Sequence, residues 1–294
     1  MQALTIEAAA KINWTLDITG TDARGYHLLD TVMQKITLFD TVHIKKTGSD
    51  IRLACSSPDI PVDEKNTAYR AAQKFFEQTA LPCGCEVYIE KRIPCGAGLG
   101  GGSADAAAVL LGLNRLFGEP LRQPQLEKSA LAVGADVPFM LGESAARAAG
   151  IGEKLTPLES VPEQVLLCAM QAERPASTAL VYQRYDALGS SKRPDTEGFL
   201  RVLEGGNSRA FSLFGGNVLQ RAAQEVSGTV DGLLRKMKDR GALFCSMTGS
   251  GSAVFGVFES LSEARRAESA FDGLWHCICS TINGKMELIQ EANE

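Results

Sequence analysis

A chain of 294 residues, 45% of them hydrophobic, can bury one large core or two ordinary ones, and two domains are expected. Its 30 basic and 35 acidic residues leave a net charge of −5, with no basic stripe for nucleic acid and no polybasic tail for a membrane, so a small-molecule partner is expected. No apolar run reaches the ~18 residues of a membrane helix, and Met1 to Glu7 lacks the basic and apolar regions of a secretion signal, so the expected location is cytoplasmic.

In chain order, period-two alternation predicts strands at Leu4–Glu7, Ile12–Ile18, Asp40–Lys45 and Asp50–Ala54. Lys11 stands at the entry of the second strand, either a solvated charge or a functional cation. Asp22-Ala23-Arg24-Gly25-Tyr26-His27 is a polar loop with an aromatic ring beside an imidazole, a pair suited to a flat polar ligand and equally to packing the loop. Asn66 is well typed as the N-cap of an amphipathic helix running to Phe76. A strand from Cys85 to Lys91 then ends at Pro94.

The next stretch, Cys95-Gly96-Ala97-Gly98-Leu99-Gly100-Gly101-Gly102-Ser103, holds five glycines within seven residues. Such a backbone turns tightly and brings its N–H groups close to a ligand with no Cβ in the way. Ala106, Leu110, Leu113 and Phe117 then recur at helical spacing, and Gly118 stands where a C′ residue would end the helix. Glycine amides feeding a helix N-terminus form an anion site, and a phosphate chain is the expected anion. A glycine turn without a ligand is the alternative. Neither common nucleotide motif fits: no second strand with an acidic end follows about 20 residues on, and Gly102-Ser103 replaces the Lys-Ser/Thr of a Walker loop.

A helix is expected from Pro124 to Val133, then a sharp turn through Gly134-Ala135-Asp136-Val137-Pro138, where Asp136 either caps the next helix or serves chemistry. Composition shifts near Gly150 to Pro157, which divides the chain into residues 1–155 and 156–294. The second part reads as a strand at Val165–Met170 and helices near 177–187, 195–204, 214–226 and 229–240. Strands at Leu243–Met247 and Ala253–Phe258 flank the turn Thr248-Gly249-Ser250-Gly251-Ser252, and a helix at 261–272 and a strand at Cys277–Thr281 complete an α+β plait. Eight cysteines include the pairs Cys83/Cys85 and Cys277/Cys279, each expected on one side of a strand as core thiols of a reducing compartment, while three histidines and no C-x-x-C argue against zinc.

Three blocks together resemble the GHMP small-molecule kinases, the superfamily of galactokinase, homoserine kinase and mevalonate kinase. They are Ala10-Lys11-Ile12-Asn13, the loop Pro94 to Ala104, and Met247 to Ala253. Gly25-Tyr26-His27, Gly134 to Phe139 and Gly150 to Glu153 point, within that superfamily, to the branch that phosphorylates a cytidine-diphosphate-linked methylerythritol in the non-mevalonate route to isoprenoids. The resemblance implies a two-domain α+β fold, with an N-terminal domain like the second domain of ribosomal protein S5 and a ferredoxin-like C-terminal plait.

It also implies transfer from ATP, with Mg2+, to the 2-hydroxyl of the methylerythritol unit. Asp136 would be the general base and Lys11 its partner. Pro94, Cys95, Gly96, Ala97, Gly98, Leu99, Gly100, Gly101, Gly102, Ser103 and Ala104 would hold the ATP phosphates, with Asn66 and Lys91 on the nucleotide side and Ser103 touching the metal or a phosphate. Asn13, His27 and Thr178 would hold the methylerythritol end, and Tyr26 and Tyr182 would wall the cytosine. A monomer or weak homodimer is expected. Trp14 and Arg24 depart from the family's usual residues and are expected to bear on pocket shape and charge.

Overall fold

The computed structural model describes residues 2–48, 50–81, 84–142, 144–159, 161–171, 177–189, 192–283 and 289–291; Cys83 lies outside them. The first half comprises β1 (Ala3–Thr21), β2 (His27–Thr47), β3 (Ile51–Cys55), α1 (Thr67–Thr79), β4 (Gly84–Glu90), α2 (Gly101–Leu116), α3 (Gln123–Val133), α4 (Val137–Leu141), β5 (Ala145–Gly150) and β6 (Lys154–Pro157). The second comprises β7 (Val165–Met170), α5 (Thr178–Leu188), α6 (Thr196–Glu204), α7 (Phe211–Phe214), β8 (Gly216–Asn217), α8 (Gln220–Ser227), α9 (Val230–Asp239), β9 (Phe244–Met247), β10 (Val254–Phe258), α10 (Leu261–Glu268), β11 (Trp275–Ser280) and β12 (Ile289–Glu291).

Two expected strands are one: β1 runs unbroken through Ala8-Ala9-Ala10, with register shifts between Ala9 and Lys11, Asn13 and Thr15, and Ile18 and Gly20. Bulges of this kind bend a long strand without ending it. Its antiparallel partner β2 begins at His27, well before the alternating segment at Asp40, because Thr31 to Ile36 are buried without a break and alternation disappears when both faces are covered. β2 continues the sheet to β4 and β5, and β3 joins β4 in parallel. One face of this sheet packs Ile6, Val42, Val87 and Ile89 against Leu110 and Leu113 of α2.

The second sheet has the order β11-β7-β10-β9, every neighbour antiparallel. Numbered within this sheet, that is 4-1-3-2, the arrangement of a ferredoxin-like plait. Alternation along β7 sends Leu167 and Ala169 to a core shared with Met237 of α9 and Ala264 of α10, and Leu166, Cys168 and Met170 to the opposite face. There Trp14 of β1 is fully buried among Phe211, Phe255, Phe199 and Phe244, at 5.5, 5.4, 5.9 and 6.4 Å between rings. Trp14 therefore joins the two sheets and does not shape a pocket, contrary to expectation. Burying an indole this completely is worth up to about 4–6 kcal/mol by area.

The helix expected at 214–226 is three elements. Gly215-Gly216 breaks it, and the Asn217 amide donates to Met247 O and Gly249 O at 3.0 and 2.8 Å, which fixes β8 beside the turn after β9. Cys277 and Cys279 lie on β11 facing the Trp14 side, as expected for core thiols. Among the described residues, no helix is long and apolar enough to cross a membrane.

Candidate active site

Three segments from distant parts of the sequence meet at the middle of β1. The loop after β4 carries positive φ at alternate positions, Gly96 (65°), Gly98 (80°) and Gly100 (74°), and Gly100 is the N-cap of α2. Left-handed residues alternating with ordinary ones turn successive N–H groups into one concavity; in α2 the N–H groups of Ser103 and Ala104 bond back to Gly100 O at 3.0 and 2.9 Å, and those of Gly101 and Gly102 precede the first such bond. Glycine is required here. A Cβ on Gly98 would lie 2.2 Å from the Thr248 carbonyl oxygen, and one on Gly100 would lie 2.6 Å from Met140 Cε and 3.0 Å from Lys11 Cγ. The loop is pinned by Lys11 N–H to Leu99 O at 2.9 Å and Ala253 N–H to Ala97 O at 3.1 Å.

Asn13 ties the segments together. Its Oδ1 accepts from Lys11 Nζ at 2.7 Å and Gly249 N at 2.9 Å, and its Nδ2 donates to Thr31 Oγ1 at 2.8 Å. The Thr248 hydroxyl accepts from the Asn13 N–H at 3.1 Å and lies 3.2 Å from Gly98 O, so the two glycine turns close on each other. Asn13 is thus buried, with both ends of its amide engaged within the protein.

Lys11, also buried, points its ammonium at Asp136, with Nζ 3.7 Å from Oδ2. Burial draws the Lys11 pKa down and the Asp136 charge opposes that. Asp136 precedes α4, but its side chain makes no cap hydrogen bond, so the capping alternative fails and the partly exposed carboxylate faces Lys11.

Lys91 reaches the head of α2, its Nζ 3.2 Å from where a Cβ on Gly101 would stand, but the ammonium is already engaged. Its Nζ is held by Asp40 and, at 2.7 Å, by Asp105, and all three side chains are buried. Burial lowers the Lys91 pKa, but Asp105 and Asp40 outweigh it and hold the ammonium above its ordinary value. Burial raises Asp105 to about 7, against the pull of Lys91, and its Oδ1 has no hydrogen-bond partner. Asp40 Oδ1 accepts from the N–H groups of Arg92 and Ile93 at 2.6 and 2.9 Å, so the pair fastens the start of the loop to β2. Asn66 caps α1 through Ala68 N at 2.8 Å, and its neighbour Thr67 donates to Gly102 O at 2.6 Å, which locks α1 to the start of α2. Pro94 is half-buried and Cys95 exposed. Desolvation of its sulfur, with Asp40 and Asp105 nearby, raises the Cys95 thiol, which argues against a thiolate role. Ser103 is half-buried in the first turn of α2 and Ala104 is buried.

The remaining predicted residues gather on α5. Thr178 Oγ1 lies 2.8 Å from Ser250 Oγ, and four residues on, one helical turn away, Tyr182 packs against the His27 ring at 4.9 Å with the planes tilted by 39°. Burial, then the Asp136 charge, pushes the Tyr182 hydroxyl up to about 12, so this ring lies within the field of the carboxylate. His27 Nε2 pairs with Asp186 Oδ1 at 2.7 Å. Tyr26 stands apart: it is exposed, with the Arg24 guanidinium over its ring at 5.2 Å and Arg24 itself paired with Asp22. Asp40, Asp105 and Asp186 escaped the sequence reading as site residues, and Thr248 entered it only as part of a turn and a family block. The first two sit in unremarkable strand and helix positions, and only the partners that folding brings to them give them meaning.

Comparisons with known proteins identify the family. The family described as GHMP kinases N terminal domain matches residues 66–143, and GHMP kinases C terminal matches residues 204–276. A 4-diphosphocytidyl-2-C-methyl-D-erythritol kinase of Caldicellulosiruptor saccharolyticus is 41% identical over 265 residues, 90% of this chain and 91% of that one. One from Acetivibrio thermocellus is 37% identical over 281 residues, 94% and 98% of the two chains. A crystal structure of 4-(cytidine 5'-diphospho)-2C-methyl-D-erythritol kinase superposes with a TM-score of 0.80 at 33% identity, over 94% of this chain and 98% of that chain. Homoserine kinase from Cytophaga hutchinsonii, at 17% identity and a TM-score of 0.76 over 99% and 97% of the chains, shares the fold. With both halves matched and relatives above one-third identity along nearly its whole length, the chain belongs to the GHMP kinases, in the branch of the 4-diphosphocytidyl-2-C-methyl-D-erythritol kinases.

Proposed function

We propose that this small-molecule kinase transfers the terminal phosphoryl group of ATP to the 2-hydroxyl of 4-diphosphocytidyl-2-C-methyl-D-erythritol, releasing ADP and the 2-phosphate, as one step of the non-mevalonate route to isoprenoid precursors. The observation that carries the chemistry is the Lys11–Asp136 pair, 3.7 Å apart beside the glycine-capped N-terminus of α2. Asp136 accepts the hydroxyl proton as the oxygen attacks the γ-phosphorus and the bond to the β-phosphate oxygen breaks. The Lys11 ammonium faces the carboxylate and offsets charge developing on the phosphoryl group. Residues 94–104 hold the phosphates through backbone amides, a fixed array that needs no reorganisation during transfer.

Among the described residues no cluster of three His, Cys, Asp or Glu side chains suits a metal, which fits an ion held mainly by phosphate and water. The Ser103 hydroxyl would be the protein group that holds a magnesium ion, which would supply charge neutralisation for the phosphates. Thr178, His27 and Tyr182 line the alcohol and cytidine end, with Tyr26 closing over the base from its exposed turn. Asn13, Asn66 and Lys91 act through the loops they hold. The change from one half to the other, expected after residue 155, we place between β6 and β7. Unpaired thiols at Cys168 and Cys279, 3.9 Å apart between sulfurs, suit a reducing cytoplasm. The proposed form is a monomer or weak homodimer.

The test is ADP release with ATP and magnesium, comparing the cytidyl substrate with mevalonate, homoserine and galactose. Turnover confined to the cytidyl substrate is expected. Turnover with another alcohol would keep the kinase and discard this substrate.

A further inference from the structure

The base-bearing element α4 has five residues, far short of the ~12 that an isolated helix needs, so its position must come from what it touches. Lys35 of β2 touches its end. Its Nζ donates to Met140 O at 3.0 Å and Gly142 O at 2.9 Å, the last carbonyls of the helix, and lies 5.8 Å from the centre of the Phe139 ring. Helix-terminal carbonyls lack internal partners and carry partial negative charge, so a buried ammonium there is both a hydrogen-bond donor and a counter-charge. The Lys35 main chain is fixed as well, its N–H to Ser144 O at 2.7 Å and its O from Ile282 N at 2.9 Å.

Lys35 is the direct cross-strand partner of Lys11, so both side chains leave the same face of the β1–β2 ribbon. One lysine meets Asp136 at the start of α4 and the other grips its end. Between them Met140 packs where a Gly100 Cβ would stand, against the N-cap of α2. The two lysines, the carboxylate and the phosphate loop thus share one rigid frame.

We propose that Lys35 is a positioning residue for phosphoryl transfer: by holding the C-terminal end of α4 to β2, it sets the place of the Asp136 carboxylate against the phosphate loop. The inference rests on the base role of Asp136.

The test is a double-mutant cycle with Lys35→Met, which keeps the apolar stem and removes the donors, and Asp136→Asn. Lys35→Met is expected to lower kcat by about 10- to 100-fold, the scale of a misplaced catalytic group, while KM for ATP and for the alcohol stays within about twofold. In the Asp136→Asn background the same change should cost almost nothing, since there is no base left to place. Equal losses in both backgrounds, an effect on KM alone, or unchanged kcat would each overturn the proposal. Near-normal turnover of Asp136→Asn alone would instead overturn the base reading. If Lys35→Met does not fold by near-ultraviolet circular dichroism, Lys35→Gln, which keeps one donor, takes its place in the same cycle with the same criteria and a smaller expected loss.

Discussion

Lys11 Nζ and Asp136 Oδ2 lie 3.7 Å apart, the ammonium buried and the carboxylate 39% exposed. The carboxylate is therefore open to a substrate from one side while facing a cation on the other. Asp136→Asn keeps the shape and removes the basicity. Its turnover should fall by about 10²–10⁴, the usual contribution of a positioned base, with ATP affinity retained. Steady-state kinetics beside equilibrium nucleotide titration will check this, and near-normal kcat would dismiss Asp136 as the base.

Lys11 also has a stability signature. Its native pKa is lowered from 10.5, burial being the main cause. Between that lowered value and 10.5 the unfolded chain binds more protons than the native one, so stability from this group rises with pH and is lost on going down through the native pKa. Lys11→Met should remove that slope and leave the fold as stable as the wild type or about 1 kcal/mol more stable at pH 7, since a buried charge whose desolvation outweighs its attraction to Asp136 is replaced by an apolar stem, while Asn13 Oδ1 keeps the Gly249 N–H and activity is lost. Denaturant unfolding at pH 7 and pH 9.5 reads both effects, and strong destabilisation at both would contradict them.

The two glycine turns are joined by close backbone contact, and Gly98 is where that contact is tightest. Gly98→Ala adds a Cβ 2.2 Å from the Thr248 carbonyl oxygen at a φ of 80°. Backbone cannot yield there as a side chain would, and strain of this type costs on the order of 1–3 kcal/mol. Melting temperature should drop and ATP affinity should weaken together, whereas alanine at Gly25, where a Cβ meets nothing, should leave ATP affinity unchanged. Undiminished ATP binding by Gly98→Ala would show that the phosphates do not use this loop.

The sequence revealed the glycine loop, the Asn66 cap, the antiparallel plait and the Lys11 and Asp136 pair because each has a local signature or a family motif. It concealed what depends on non-local burial. Thr31 to Ile36 lose strand alternation by being covered on both faces. Trp14 looks like a pocket residue until Phe199, Phe211, Phe244 and Phe255 surround it. Lys91 is expected, from the family resemblance, on the nucleotide side, and only folding supplies Asp40 and Asp105 to hold it.

Tyr182 lies against His27, in the field of Asp136, whereas the exposed Tyr26 ring meets its own loop's Arg24. Base stacking on an aromatic side chain is worth about 1–3 kcal/mol, roughly 5- to 150-fold in affinity. Tyr182→Leu should raise KM for the cytidyl substrate by a factor in that range, with KM for ATP within about twofold. Losing the Tyr26 ring should have a smaller effect of the same kind, since that ring is more exposed. Equal losses for both substrates would remove Tyr182 from the cytidine site.

Asp105 gives the sharpest pH prediction. Burial raises its native pKa from 3.8 to about 7, even with Lys91 at 2.7 Å, and its Oδ1 has no partner. Between those values the native state holds a proton that the unfolded chain has released, so this group's contribution to stability is full below pH 3.8 and fades as pH rises through about 7. Asp105→Asn cannot ionise and keeps an oxygen acceptor for Lys91, whose charge Asp40 still balances. The stability of Asp105→Asn relative to wild type should therefore increase as pH rises from 4 to 7 and level off above about 8. Because Asp40 fastens the start of the phosphate loop through Arg92 and Ile93, ATP affinity should lose part of its pH dependence in the same variant. Urea unfolding and ATP titration across pH 5–9 measure both. A stability difference independent of pH would mean that Asp105 stays ionised throughout and that the buried cluster is a fixed ion pair.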